Sequence, residues 1–183
     1  VMDGHFVPNL GFGVFMVKGI KKFSKIPLDV HLMIEKPSKY IDAFIDAGAD
    51  ILTVHVEADD DILGCLKKIK EKGIKSGLAL NPDTDPERLK PYLEYTDMVL
   101  QMTVFPGFGG QSMVEEAIKN ISVIRGMIGD KELEVDGGIT AENVHILTKE
   151  GADVIVSGSG IFKYDDIADA STKLRESAMG GQA

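Results

Sequence analysis

A (β/α)₈ barrel is the fold this sequence predicts, and three observations predict it. Short β-branched runs alternate with longer amphipathic stretches from one end of the chain to the other. Such alternation implies parallel strands joined by right-handed crossovers. Reactive or polar residues recur where the predicted strands end, at His31, His55, Asn81, Met102, Asp136 and Ser157, spaced by 21 to 34 residues. One-sided loading of strand ends is what a barrel with its active site at the C-terminal face produces. Glycine loops then follow three strands in the last half of the chain, at Gly107–Gly110, Gly137-Gly138 and Gly158–Gly160. A doubly wound open sheet is the rival. It is disfavoured because no Gly-x-Gly-x-x-Gly follows the first strand, and Gly107-Phe108-Gly109-Gly110 comes too late with the wrong spacing.

Taken in order, the strands are predicted over Leu28–Met33, Ile51–His55, Ser76–Asn81, Met98–Met102, Glu132–Asp136 and Val154–Ser157. Helices are predicted over Ser38–Ala47, Asp60–Lys72, Ser112–Ile128 and Thr140–Glu150. The first of these sets Tyr40, Ile41, Phe44 and Ile45 on one face. The second carries Lys67, Lys68, Lys70 and Lys72 late, as the helix macrodipole favours. Gly-Ala-Asp precedes a strand twice, at Gly48-Ala49-Asp50 and Gly151-Ala152-Asp153, each reading as a helix C-cap glycine feeding the next strand. Val1-Met2-Asp3-Gly4 reads as the end of a further strand. Closure needs eight strands, so the chain is expected to lack the first βα unit and most of the second strand, roughly 35 residues.

The 183 residues are expected to form a single, partial barrel domain over 1–183. A net charge of −9 argues against nucleic acid or an anionic membrane as partner. It leaves a phosphate ligand open, because backbone amides supply local positive potential. The only cysteine, Cys65, excludes an intramolecular disulfide framework and reads as a small buried residue. No apolar run approaches a membrane span and no secretory signal opens the chain, so a reducing, cytoplasmic setting is expected.

Asp136-Gly137-Gly138, leaving the strand ending Leu133-Glu134-Val135, is the stretch richest in chemistry. A carboxylate there can take or give a proton, and bare N–H groups beyond it can hold a phosphate. The bland alternative is that Asp136 caps a helix or shapes a turn. In Leu28-Asp29-Val30-His31-Leu32-Met33, alternation places His31 on the interior face with Asp29 and Met33. A neutral imidazole there suits a first-row metal, although a lone histidine is more often a satisfied core residue. His55 is expected to play a structural role beside Glu57. Gly107–Gly110 is either a lid or a phosphate cradle, and Gly158-Ser159 occupies the place of a barrel phosphate loop. Met33 and Met102 default to core packing, or else wall a reactive intermediate from water.

Five segments in order resemble the ribulose-phosphate 3-epimerase family: Val1–Asn9, Leu28–Met33, Met102-Thr103-Val104 with Pro106–Gln111, Glu134–Gly138, and Val156–Ser159. The resemblance implies interconversion of D-ribulose 5-phosphate and D-xylulose 5-phosphate by two acids at C3, with one divalent ion (Zn, Fe, Mn or Co). It implies Asp136 as acid/base and metal ligand, and His31 as a second ligand that also touches substrate. Met33 and Met102 would stabilise the intermediate. Gly107, Phe108, Gly109, Gly110, Asp136, Gly137, Gly138, Gly158 and Ser159 would contact a small phosphorylated ketose, and a homo-oligomer is expected.

Two departures stand out. Family members carry His-x-Asp just before Val-Met-Asp-Gly, and a serine near the first strand; this chain begins after both. It is therefore expected to turn over poorly. Phe105 stands where the family usually has a polar residue. Rival readings are an epimerase of a six-carbon ketose phosphate such as allulose 6-phosphate, an aldolase- or decarboxylase-type barrel, and a non-catalytic degenerate barrel.

Overall fold

The computed structural model describes residues 1–180. Two compact units divide the chain, residues 1–80 with 87–99 and residues 81–86 with 100–183.

In the first unit, a short antiparallel pair, β1 (Met2–Asp3) and β2 (Leu10–Gly11), precedes helix α1 (Val14–Lys21). Three parallel strands follow in sequence order: β3 (Asp29–Leu32), β4 (Ile51–His55) and β5 (Lys75–Leu80). Helices α2 (Ile41–Asp46) and α3 (Ile62–Glu71) lie between them in the chain. Met2 bridges Met33 in parallel, so Val1–Gly4 does contain strand, as predicted. Leu32, Ile41, Leu52, Val54, Leu66, Ile69 and Leu78 are completely buried. Cys65 is buried in α3, as predicted, and its thiol is pushed up to about 12 by that burial.

In the second unit, β6 (Met98–Met102), which starts in the first unit, is followed by α4 (Glu115–Ile128), β7 (Glu132–Asp136), α5 (Val144–Lys149) and β8 (Val154–Val156). The chain then forms α6 (Ser159–Phe162) and α7 (Ile167–Ala178). β7 and β8 pair in parallel, with Asp136 opposite Val156.

The predicted strands are all present, three with identical bounds. Predicted helix starts were too early, for local reasons. Asp61 caps α3 by accepting from the Gly64 N–H, so that helix starts at Ile62 rather than Asp60. The Asn143 side chain accepts from the Thr140 N–H, holding a turn there and delaying α5 to Val144. Val114 N–H donates to the Thr103 carbonyl, which keeps Ser112–Val114 out of α4. Ser38–Ala47 is split: Pro37–Lys39 is 3₁₀ and α2 begins at Ile41. Strand β2, helices α1, α6 and α7, and the 3₁₀ segment Pro86–Tyr95 were not predicted.

The Gly-Ala-Asp repeat has a structural cause. Gly48 and Gly151 adopt φ +104° and +111°, ending their helices in a conformation that disfavours side chains. The stem of Lys21 lies over Gly48 and that of Arg125 over Gly151, where a Cβ would meet them at 2.5 and 3.0 Å. Each cation then reaches the aspartate two residues on. Lys21 Nζ donates to Asp50 Oδ2 at 2.5 Å, and Arg125 pairs with Asp153. The same carboxylates accept N–H groups from the start of the preceding strand, Leu28 at 2.7 Å and Leu133 at 2.9 Å. Asp97 repeats the device without the glycine, taking Lys70 Nζ at 2.7 Å and Ser76 N–H at 3.0 Å. The strand starts are thus tied down where a barrel keeps stability rather than chemistry.

The Lys21 ammonium and the Leu28 N–H hold the Asp50 carboxyl below its ordinary 3.8. For Asp97, burial pulls upward, but Lys70 and Ser76 bring the net shift down. Both folded values are depressed, so their stabilisation is complete above the ordinary 3.8 and is lost as pH falls below it. Urea midpoints are expected to drop between pH 6 and pH 3, and Asp97→Asn is expected to flatten that drop.

Candidate active site

In the first unit, His31, the third residue of β3, lies beside His55, the last residue of β4. Their Nε2 atoms lie 2.8 Å apart, and His55 Nδ1 lies 3.0 Å from Glu57 Oε2. His55 thus lies beside Glu57, where a structural role was expected for it. Burial, then the neighbouring His55, holds His31 well below the usual imidazole range, which favours the neutral ring. Met33 is 9% exposed, next to this cluster in the chain. Asp3 is not available for chemistry in the same way. Its carboxylate accepts from the N–H groups of His5, Phe6 and Glu35 at 2.8 to 2.9 Å, and these bonds outweigh the upward pull of burial to lower its pKa.

In the second unit, Asp136 ends β7 and is partly buried. Burial raises its carboxyl from 3.8 to about 6, close to the pH at which an acid/base must work. Its carbonyl accepts the Thr103 N–H at 2.8 Å, and the Thr103 hydroxyl donates to the Gly137 carbonyl at 2.5 Å. Met102, just before Thr103, is 1% exposed.

The three predicted glycine loops meet here. A Cβ on Gly137 would come 2.4 Å from Val104 Cγ2, and one on Gly138 2.4 Å from the Gln111 carbonyl. A Cβ on Gly160 would come 2.2 Å from the Ile139 carbonyl. These glycines therefore have a packing reason, which the sequence could not separate from a ligand reason. Gly109 and Gly158 differ: each has nothing within 4 Å and a φ outside the left-handed region, so the fold does not explain them. Gly107 is buried at φ +129°, and Gly110 faces open space at φ +77°. Gln111 Nε2 donates to the carbonyls of Phe105 and Phe108 at 2.8 and 2.9 Å, closing the 105–111 loop on itself. That clamp went unread in the sequence. Phe105 and Phe108 are 48% and 60% exposed, so neither is held as core. Gly158 caps α6, and Ser159, its first residue, is exposed.

Among the described residues, no group of three or more His, Cys, Asp or Glu side chains could hold a metal ion. The imidazole of His31 and the carboxylate of Asp136 are, in donor type, suited to a first-row divalent ion. No helix among the described residues is long and apolar enough to cross a membrane.

Among solved structures, the fold is similar to 3-hexulose-6-phosphate synthase from Salmonella typhimurium (TM-score 0.70, 22% identity, 98% of this chain and 92% of that one). It is also similar to a tryptophan synthase α-subunit from Pyrococcus furiosus (TM-score 0.64, 22% identity, 93% and 75%). These likenesses bear on fold alone, and that fold is the (β/α) barrel. The chain is 41% identical to the ribulose-phosphate 3-epimerase of Bacillus subtilis, covering 97% of this chain and 84% of the relative. It is 48% identical to that of Rhodobacter capsulatus, covering 92% and 74%. The model of the ribulose-phosphate 3 epimerase family matches residues 1–162. With that match spanning most of its length, the chain belongs to the ribulose-phosphate 3-epimerase family.

Proposed function

We propose that this chain interconverts D-ribulose 5-phosphate and D-xylulose 5-phosphate by proton transfer at C3, with Asp136 as one of two acid/bases. The observation that carries the reading is Asp136 itself. It is a partly buried carboxyl raised to about 6 at a strand end, followed directly by Gly137 and Gly138, which pack against Val104 and Gln111. A carboxyl near neutrality can remove a proton in its ionised form and return one in its neutral form. Inversion needs a donor on each face of the carbon, and Asp136 serves one of them.

His31 and Asp136 would together hold a divalent cation, Zn, Fe, Mn or Co. When bound, such an ion polarises the ketone and acidifies the neighbouring C–H. Two donors of this chain make a weak site, so added metal is expected to be needed in any assay. Met33 and Met102 present soft apolar side chains that exclude water from the reacting carbon. The 107–110 and 137–138 loops contact the sugar, and Gly158-Ser159 binds its phosphate through backbone N–H groups. This reading takes residues 1–183 as one barrel domain, of which 181–183 lie outside the described residues, working as a homo-oligomer in the cytoplasm. The six-carbon rival is disfavoured by relatives of 41 and 48% identity that bear the five-carbon name.

The test is an assay on D-ribulose 5-phosphate with added Zn²⁺, Mn²⁺ or Fe²⁺, comparing the parent with Gly158→Ala. Open space at Gly158 means that Ala leaves the urea midpoint almost unchanged. Crowding the phosphate N–H is expected to raise KM about 10–100-fold, as for one hydrogen bond to a charged group. An unchanged KM would remove Gly158 from the phosphate site. Faster turnover of allulose 6-phosphate would favour the six-carbon rival.

A further inference from the structure

The segment Phe105–Gly110, which follows β6, includes Gly107, Gly109 and Gly110. Glycine has the most conformational freedom to lose, so a stretch this rich in it does not keep one shape by backbone preference alone. Gln111 supplies what the backbone lacks. Its Nε2 lies 2.8 Å from the Phe105 carbonyl and 2.9 Å from the Phe108 carbonyl. Carbonyl oxygens only accept, and an amide nitrogen carries two protons, so one proton goes to each. Both acceptors are main-chain atoms. The clamp is therefore indifferent to the side chain at 105, where Phe stands in place of the family's usual polar residue.

The clamp is also seated beside the acid/base. The Gln111 carbonyl and the Met113 nitrogen lie where a Cβ on Gly138 would approach them to 2.4 and 3.3 Å, and Gly138 is two residues after Asp136. At the base of the loop, Val114 N–H donates to the Thr103 carbonyl and Thr103 N–H to the Asp136 carbonyl, each at 2.8 Å. The main chain of Gln111 thus rests on the turn after Asp136, while its side chain reaches back along the loop. Phe105 and Phe108 remain exposed, so packing of their rings does not hold the outer part of the loop. The Gln111 amide does.

We propose that Gln111 is a positioning residue: its side-chain amide holds the 105–111 loop in one shape beside Asp136 before the sugar arrives. The functional meaning rests on the reading of this loop as a sugar contact; the clamp does not. A loop ordered in advance leaves its contacts free to contribute to affinity, whereas a loop that the ligand must order takes that cost out of binding.

The experiment compares the parent with Gln111→Met, which keeps the length of the side chain and removes both donors. Amide hydrogen exchange is followed by NMR on the metal-free protein, and D-ribulose 5-phosphate binding by calorimetry with Zn²⁺ present. Exchange over residues 105–110 is expected to quicken about 10–100-fold, the factor that two lost hydrogen bonds represent. The dissociation constant for the sugar phosphate should rise by a similar factor. The urea midpoint should stay near that of the parent, and kcat should change little, because the loop meets the ground state and the transition state alike. Gln111→Glu adds a second reading. The carboxylate it introduces faces two carbonyls with no proton at pH 8 but donates one bond once protonated, so its loop exchange, taken against the parent at the same pH, should approach the parent as pH falls. Unchanged exchange in Gln111→Met would overturn the proposal, whatever the affinity does. Faster exchange with unchanged affinity would leave the clamp in place and overturn the sugar-contact reading, and with it the positioning role. A lowered urea midpoint with exchange quickened throughout the chain would mean that Gln111 supports the fold and not this loop.

Discussion

Replacing Asp136 by Asn is expected to abolish epimerisation while making the metal-free protein more stable at pH 8. The loss follows from removing a general acid/base, which contributes about 10²–10⁴-fold. The gain follows from its environment. Burial raises the carboxyl from 3.8 to about 6, so the folded state disfavours the ionised form. A raised carboxyl value means stability is greatest at low pH and declines as pH rises through that window. Above it the penalty is about 2–3 kcal/mol, which Asn does not suffer. Urea denaturation of parent and variant should therefore coincide near pH 4 and diverge at pH 8, with the variant the more stable. Bound metal should reverse the order, because a ligand that prefers the folded state stabilises only the protein that binds it. Equal stability at both pH values would mean the carboxyl is not held in the way described.

Gly137→Ala is expected to have the largest effect on folding. The new Cβ would lie 2.4 Å from Val104 Cγ2 and 2.9 Å from the Val104 backbone nitrogen, at φ +123°. Neither partner is the far end of a flexible side chain. Backbone strain of about 1–3 kcal/mol adds to overpacking of similar size, for a total of about 3–5 kcal/mol. Against a typical total of about 5–15 kcal/mol, that is enough to populate unfolded chain. Thermal denaturation by circular dichroism checks it, with Gly158→Ala as the neighbour that should melt like the parent. A small change at Gly137 would mean the loop after β6 yields more easily than its hydrogen bonds to Asp136 and Gly137 suggest.

Much of this was legible in the sequence because period and position are local signals. The β-branched runs gave Ile51–His55, Met98–Met102 and Glu132–Asp136 to the residue, and the polar strand ends marked His31, His55 and Asp136. Helix starts were harder, since Asp61 and Asn143 divert backbone N–H groups through side-chain bonds that periodicity does not register. The Gly-Ala-Asp repeat was visible as a cap. Its other half, the cations Lys21 and Arg125 lying across the glycines, comes from residues 26 to 29 positions away. Within the site, sequence grouped all the glycines together. Only contacts separate Gly137, Gly138 and Gly160, which backbone approach demands, from Gly109 and Gly158, which it does not. The His31–His55 bond was likewise illegible, because it depends on neighbouring strands being in register, His31 opposite Thr53.

The most direct measurement is calorimetric Zn²⁺ binding to the parent, His31→Ala, Asp136→Asn and the double variant. If imidazole and carboxylate serve one ion, each single substitution weakens binding markedly and the double variant is little worse than either. Losses that simply add, or a single substitution that leaves affinity untouched, would contradict a cation shared by these two side chains.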